Sequence, residues 1–391
     1  MTQMNLSRRR LLRSIAAGGA AYVAAPMLGM SQFQVFADSP AKYSKRAIDL
    51  ISRSLVIDML HPIDMKQAMS FFMKSDPYRD KQNITAEKLA LMRASGINVF
   101  HSSVGTGSDQ FTLMQYFNDI NGLIAKYSND FIRIDSVASL QAIKSSGKLG
   151  IIPGTQNADH FRFMQPEDIE VFYRAGQRVA QLTYNNRNYI GTGATDRSDS
   201  GLSEWGAMVV AKMNEVGMAV DVSHCGDQTS LDAAELSVKP ILITHSNSRR
   251  LAGGHPRCKP DEVIKAVAAK GGVMGLSFVR IFVRGEEPTT IEHALDHFDY
   301  VRDLVGIEHV GIGSDADVDG YDVLPEEILT RLRQVGSGKY RWREKIDTDG
   351  LNHPQRIFAL TDGLLRRGYS NAAIEGILGG NFKRVLSQIW T

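Results

Sequence analysis

The 391-residue chain reads as an α/β protein, a (β/α)8 barrel of the TIM type with extra C-terminal helices. Three observations predict it. Eight short runs are apolar on both faces, the pattern of strands buried in a parallel sheet. Longer stretches with helical spacing separate those runs. Eight such units span ~280 residues, the length of a closed barrel. An open doubly wound sheet is the alternative, but no GxGxxG follows the first run.

The strand runs are Leu55–Leu60, Ile97–Ser103, Leu149–Gln156, Val179–Asn185, Ala219–His224, Pro240–Ser246, Val273–Phe278 and His309–Asp315. Helices are expected at 84–95, 108–127, 166–178, 203–216, 227–236, 260–270 and 290–305. Ser203 is placed to cap one of them and Gly217 to end it. The tail should form helices at 324–335, 354–367 and 371–390, packed on the barrel. No internal repeat or low-complexity linker interrupts the chain, so 38–391 reads as one domain.

Residues 1–37 read as a twin-arginine signal peptide. They carry Arg8, Arg9, Arg10 and Arg13 and no acidic residue. An apolar stretch from Ile15 to Met30 follows, too short and too rich in Ala and Gly for a good membrane span. Ser7-Arg8-Arg9-Arg10-Leu11-Leu12 fits the twin-arginine pattern, and Val35-Phe36-Ala37 is a suitable cleavage site. Such a signal engages the Tat machinery and sends a folded chain to the periplasm. Without its four arginines the formal charge drops from +2 to −2. That balance argues against a nucleic-acid binder. Cys225 and Cys258 form no CxxC motif and are expected to be separate free thiols.

A barrel carries its chemistry at the C-terminal ends of its strands. Asp58 and His61 end run one, His101 lies in run two, and Gln156 closes run three. Tyr184 falls in run four, His224 ends run five, His245 closes run six, and Asp315 ends run eight with Asp317 just beyond. His224 and His245 follow apolar strands that should be neighbours, which would bring two imidazoles together. Neutral imidazole is the commonest protein metal ligand, and zinc suits a mixed nitrogen and oxygen site. Asp315 could add an oxygen ligand or act as a general base or acid. Arg257, in the loop after run six, could clamp a carboxylate with two parallel hydrogen bonds.

The run Leu182-Thr183-Tyr184-Asn185, then Asp221-Val222-Ser223-His224, Thr244-His245-Ser246, Arg257 to Asp261, Gly311-Ile312-Gly313-Ser314-Asp315 and Gly379-Gly380-Asn381-Phe382 resembles the membrane (renal) dipeptidase family of metallopeptidases. The resemblance spans roughly 50–385. It implies a (β/α)8 barrel that hydrolyses dipeptides at a two-zinc site. It also implies that His224 and His245 hold one zinc, that Asp315 assists proton transfer, and that Arg257 holds the substrate carboxylate. Homodimers occur in the family.

The chain departs from the family pattern in three places. Leu60 and Pro62 fall where the first strand's His-x-Asp ligands belong; Asp58 and His61 are possible remnants of that site, and His61 with Asp64 could stand in for the pair. Gln156 replaces the bridging glutamate, and Tyr184 a substrate-facing histidine. Two dications beside a single carboxylate would repel strongly. One zinc per chain is therefore expected, on His224 and His245, completed by Gln156, Asp315 or water. Manganese, iron or cobalt would also suit these residues. The expected function is hydrolysis of dipeptides or dipeptide-like amides. Tailoring of a peptide-derived metabolite such as a siderophore precursor, or binding of a small peptide without turnover, are the alternatives.

Overall fold

The computed structural model describes residues 32–35, 41–63, 83–104, 109–334 and 338–390. Nearly all of the signal segment lies outside them, apart from a two-residue pairing of Gln32–Phe33 with Tyr43–Ser44. Among the described residues no helix is long and apolar enough to cross a membrane.

All eight expected strands are present. They are β1 (Ile57–Asp58), β2 (Val99–Val104), β3 (Leu149–Thr155), β4 (Val179–Gln181), β5 (Ala219–Asp221), β6 (Leu242–Ser246), β7 (Val273–Leu276) and β8 (Val310–Ile312). They pair in parallel in chain order. Two backbone bonds join the first and last strands, Met59 N–H to Ile312 O and Asp315 N–H to Leu60 O, both 2.9 Å. The ring is thereby closed, and no long sheet edge is left open.

Every residue of the eight strands is buried, as their continuous apolar character requires. Ile57, Val99, Ile152, Val179, Ala219, Leu242 and Val273 pack with Phe382, Val385, Leu386 and Ile389 of the last helix, Asn381–Ile389. That helix therefore packs on the apolar residues of the barrel strands. Gly311 permits the contact, since a Cβ there would lie 2.3 Å from the Phe382 ring. A larger apolar layer fills the space between strands and surrounding helices.

The helix Glu204–Val216 starts and stops where the sequence says. Ser203 accepts a hydrogen bond from Gly206 N–H, and Gly217 takes the left-handed φ of 82°. Several expectations need correction. The fourth strand stops at Gln181, so Tyr184 and Asn185 lie in the loop beyond it. Residues 371–390 are not one helix, because a wide turn at Gly376–Gly380 divides them. Two helices, Lys45–Arg53 and Val137–Ser146, were not anticipated, nor was the strand Phe131–Arg133 beside β3.

A third apolar cluster includes Ala252, Cys258, Val279, Phe282, Tyr321, Leu324, Tyr340 and Ile346. Its members come from segments that follow β6, β7 and β8, so it walls one side of the C-terminal mouth.

Candidate active site

Strands β5 and β6 bring His224 and His245 together, with their Nε2 atoms 3.0 Å apart. The scaffold beneath them is built from Asp221. Its carboxylate accepts from Ser223 N–H and Oγ–H at 2.9 and 2.6 Å, and from Thr244 N–H and Oγ1–H at 3.0 and 2.7 Å. One buried carboxylate thus ties the ends of both strands. Ser223 Oγ also accepts from His245 N–H at 3.1 Å.

Each ring has its far nitrogen anchored. His224 Nδ1 donates to Asn185 Oδ1 at 2.8 Å, and His245 Nδ1 to Thr244 Oγ1 at 2.8 Å. Thr244 spends its own proton on Asp221, so it accepts here. Both Nε2 atoms therefore face each other as bare lone pairs. Burial, and then the nearby Arg257 charge, holds both imidazoles well below their usual pKa. They are neutral, the form that binds metals.

Arg257 is fully buried. Its Nη1 donates to Ser223 O at 2.5 Å and Ser246 Oγ at 3.2 Å, and its Nη2 to His245 O at 2.8 Å. The guanidinium braces the backbone on either side of the histidine pair. Its Nε–H is buried without a partner. Tyr184 stacks on the His224 ring, with centroids 4.2 Å apart and planes 18° from parallel.

Asp315 follows β8 with a left-handed φ of 60°, uncommon for a residue other than glycine. It is half-buried. Desolvation lifts its carboxyl to about 7; Arg257 opposes this, and Asp58 adds to it. An acid poised there suits proton transfer near neutral pH. Among the described residues no group of three His, Cys, Asp or Glu side chains is gathered to hold a metal. Gln156 is half-buried just past β3, and its backbone carbonyl accepts from Gln181 Nε2.

The first-strand side of the mouth is built differently. Asp58 Oδ1 accepts from Ser314 N–H at 2.8 Å and Leu60 N–H at 3.3 Å, latching β1 to β8, while its Oδ2 has no partner. His61 is fully buried against the Phe100 ring at 4.7 Å, and neither ring nitrogen has a partner. Asp64 lies outside the described residues. Arg356, also buried, donates to Ala316 O at 2.9 Å and Ser314 Oγ at 3.4 Å, around Asp315. Asp317 pairs with buried Lys88 at 2.9 Å. His101 lies inside the barrel, with Nδ1 2.6 Å from Met59 O. Cys225 and Cys258 are both buried and free.

Among the described residues, His224 and His245 are spaced to share one metal ion. A tetrahedral zinc with nitrogen ligands at ~2.0–2.1 Å spans about 3.3 Å between them, close to the observed 3.0 Å. A cation there would also relieve two lone pairs that otherwise repel. On the first-strand side, Leu60 and Pro62 supply no ligand, and Gln156 supplies no bridging charge.

Asn185, Thr244, Asp221, Tyr340 and Arg356 were not recognised as site residues from the sequence. Asn185 and Asp221 stand inside motifs already quoted, and their neighbours to the histidines were the available signal. Tyr340 and Arg356 lie far along the chain in no motif.

A barrel with two histidines at the ends of its fifth and sixth strands and an aspartate after its eighth defines the class. Residues 45–335 and 342–391 match the model of the membrane dipeptidases, peptidase family M19. The chain belongs to that family. It is 30% identical over 278 residues to the dipeptidase verJ of Clonostachys rogersoniana, a match covering 71% of this chain. The match takes in 64% of that relative, so the chain spans less than two thirds of it. An amidohydrolase from Pseudomonas aeruginosa superposes with a TM-score of 0.75 at 30% identity, covering 88% of this chain and 99% of that one. A metallo peptidase from Rhodobacter sphaeroides, liganded with a phosphinate mimic of the dipeptide L-Ala-D-Ala, shares the fold. Its TM-score is 0.68 at 18% identity, over 86% of this chain and all of the other.

Proposed function

We propose that the chain hydrolyses dipeptides or dipeptide-like amides with a single zinc ion held by His224 and His245. The observation that carries this reading is the pair of neutral imidazoles with facing Nε2 atoms 3.0 Å apart. Bound there, the ion would polarise the scissile carbonyl and acidify water.

The chain's own groups supply the rest. Asp315 takes the proton of the attacking water and returns it to the leaving amine, a cycle its pKa of about 7 allows. Arg257 offers its Nε–H to the substrate carboxylate while its Nη groups hold the histidine strands in register. Because Arg257 has no exposed surface, the wall beside it must yield before a carboxylate arrives. Tyr184 covers one face of His224 and excludes water from it.

Export through the Tat machinery to the periplasm belongs to the same proposal, and it rests on the Arg8–Arg9 motif. Such a chain would leave the cytoplasm folded and metal-loaded.

The test is a dipeptide panel that includes L-Ala-D-Ala. The expected result is turnover that stops on chelation and returns with zinc. Undiminished turnover after exhaustive chelation, or none on any dipeptide with zinc bound, overturns the reading.

A further inference from the structure

Tyr340 is reached by the chain only after helix Glu326–Gln334, on a segment that belongs to neither the barrel strands nor their helices. That segment crosses back to the mouth and is firmly seated. Arg343 donates to Glu287 Oε1 at 2.7 Å, Thr289 Oγ1 at 3.1 Å, and the carbonyls of Arg280 and Arg284 at 3.1 and 2.6 Å. His255 Nε2 donates to Tyr340 O at 3.1 Å. The Tyr340 ring packs edge-on to Phe282, at 5.6 Å and 84°, with Trp342 at 5.4 Å. The side chain is buried.

Its hydroxyl donates to Asn185 Oδ1 at 2.5 Å and lies 3.5 Å from His224 Nδ1. Asn185 Oδ1 is the same atom that accepts from His224 Nδ1. One amide oxygen thus receives two protons, one from the phenol and one from the imidazole. As placed, the phenol donates to the oxygen end of the Asn185 amide, the end that faces His224. With the oxygen end presented, His224 must carry its proton on Nδ1, and Nε2 is left bare. With the amide turned round, the proton would move to Nε2, and that nitrogen could no longer take a metal. A group that orients a ligand histidine in this way sets metal affinity without touching the metal.

We propose that Tyr340 is a positioning residue for His224, acting through Asn185 to hold the imidazole with Nε2 bare and turned toward His245. The proposal rests on the one-metal reading, since it assigns His224 the part of a ligand.

Two measurements on the full-length folded chain test it. Zinc affinity by chelator competition should fall ~3- to 10-fold in Tyr340→Phe and ~10- to 100-fold in Asn185→Ala, which removes the direct partner. Nitrogen-15 NMR of the metal-free protein should show His224 protonated on Nδ1, with that tautomer depleted in both variants. Tyr340→Phe keeps the ring packing, so an unchanged melting temperature beside weakened zinc binding marks positioning and not general loosening. Zinc affinity of Tyr340→Phe within about twofold of the parent, or His224 protonated on Nε2 in the parent, overturns the proposal. If the parent binds no zinc, the one-metal reading fails, and the tautomer measurement alone still decides the role of Tyr340.

Discussion

The two halves of the barrel mouth satisfy their buried polar atoms to different degrees. On the β5–β6 side, Asp221, Ser223, Thr244, Asn185 and the far nitrogens of both histidines form a connected hydrogen-bond network. On the β1–β8 side, Asp58 Oδ2, both nitrogens of His61, and the Nε and Nη1 of Arg356 are buried with no partner. A connected network holds a unique geometry, whereas buried atoms left without partners cost stability. The first half is a preorganised ligand platform. Among the described residues the second carries buried cations, with Arg356 beside Asp58 and Lys88 paired to Asp317 and Asp319. The lesson is that one barrel mouth can hold a connected polar network on one side and buried fixed charges on the other.

The contrast can be broken most severely at His245. His245→Ala should abolish zinc binding and reduce dipeptide turnover to background, read by elemental analysis and an activity assay. Retained zinc would locate the metal elsewhere.

Asp315→Asn should keep the metal but lower kcat by ~10²–10⁴. In the parent, the carboxylate form dominates above about pH 7, so kcat should rise through that pH and level off. The same shift gives a stability signature. The folded carboxyl titrates near 7 and the unfolded one near its ordinary 3.8, so the folded state binds the extra proton between them. Stability contributed by this group should fall as pH rises across that window. Denaturation of Asp315→Asn should lack that component.

Arg257→Met should destabilise the fold by roughly 3 kcal/mol, since charge-assisted bonds to two buried carbonyls and a hydroxyl are lost. Urea unfolding measures this. A shift under ~0.5 kcal/mol would mean that the guanidinium does not brace the histidine strands.

The smallest effect belongs to the β1–β8 half. His61→Leu removes two orphaned nitrogens from an apolar setting and should be neutral or slightly stabilising, with zinc content unchanged. Loss of zinc in that variant would return His61 to the ligand set.

The strands were legible because burial on both faces writes itself as uninterrupted apolar runs, as in Ile241-Leu242-Ile243 before Thr244-His245. His224, His245 and Asp315 were legible because polar residues directly after such runs have nowhere to go but the mouth. The strand Phe131–Arg133 was too short to show a period. Arg257 was legible as a functional type, but its complete burial was not, because burial of a long cation depends on carbonyls supplied by Ser223 and His245. Tyr340 and Arg356 were invisible for a related reason. Their partners, Asn185 and Ser314, lie far away in the chain, and no local pattern records a contact at that range.

The central claim is that one half of the mouth holds a metal and the other does not. Elemental analysis of the purified, zinc-saturated parent chain beside His245→Ala tests it most directly. The account predicts one zinc per parent chain and none in the variant. Two zinc ions per parent chain would contradict it.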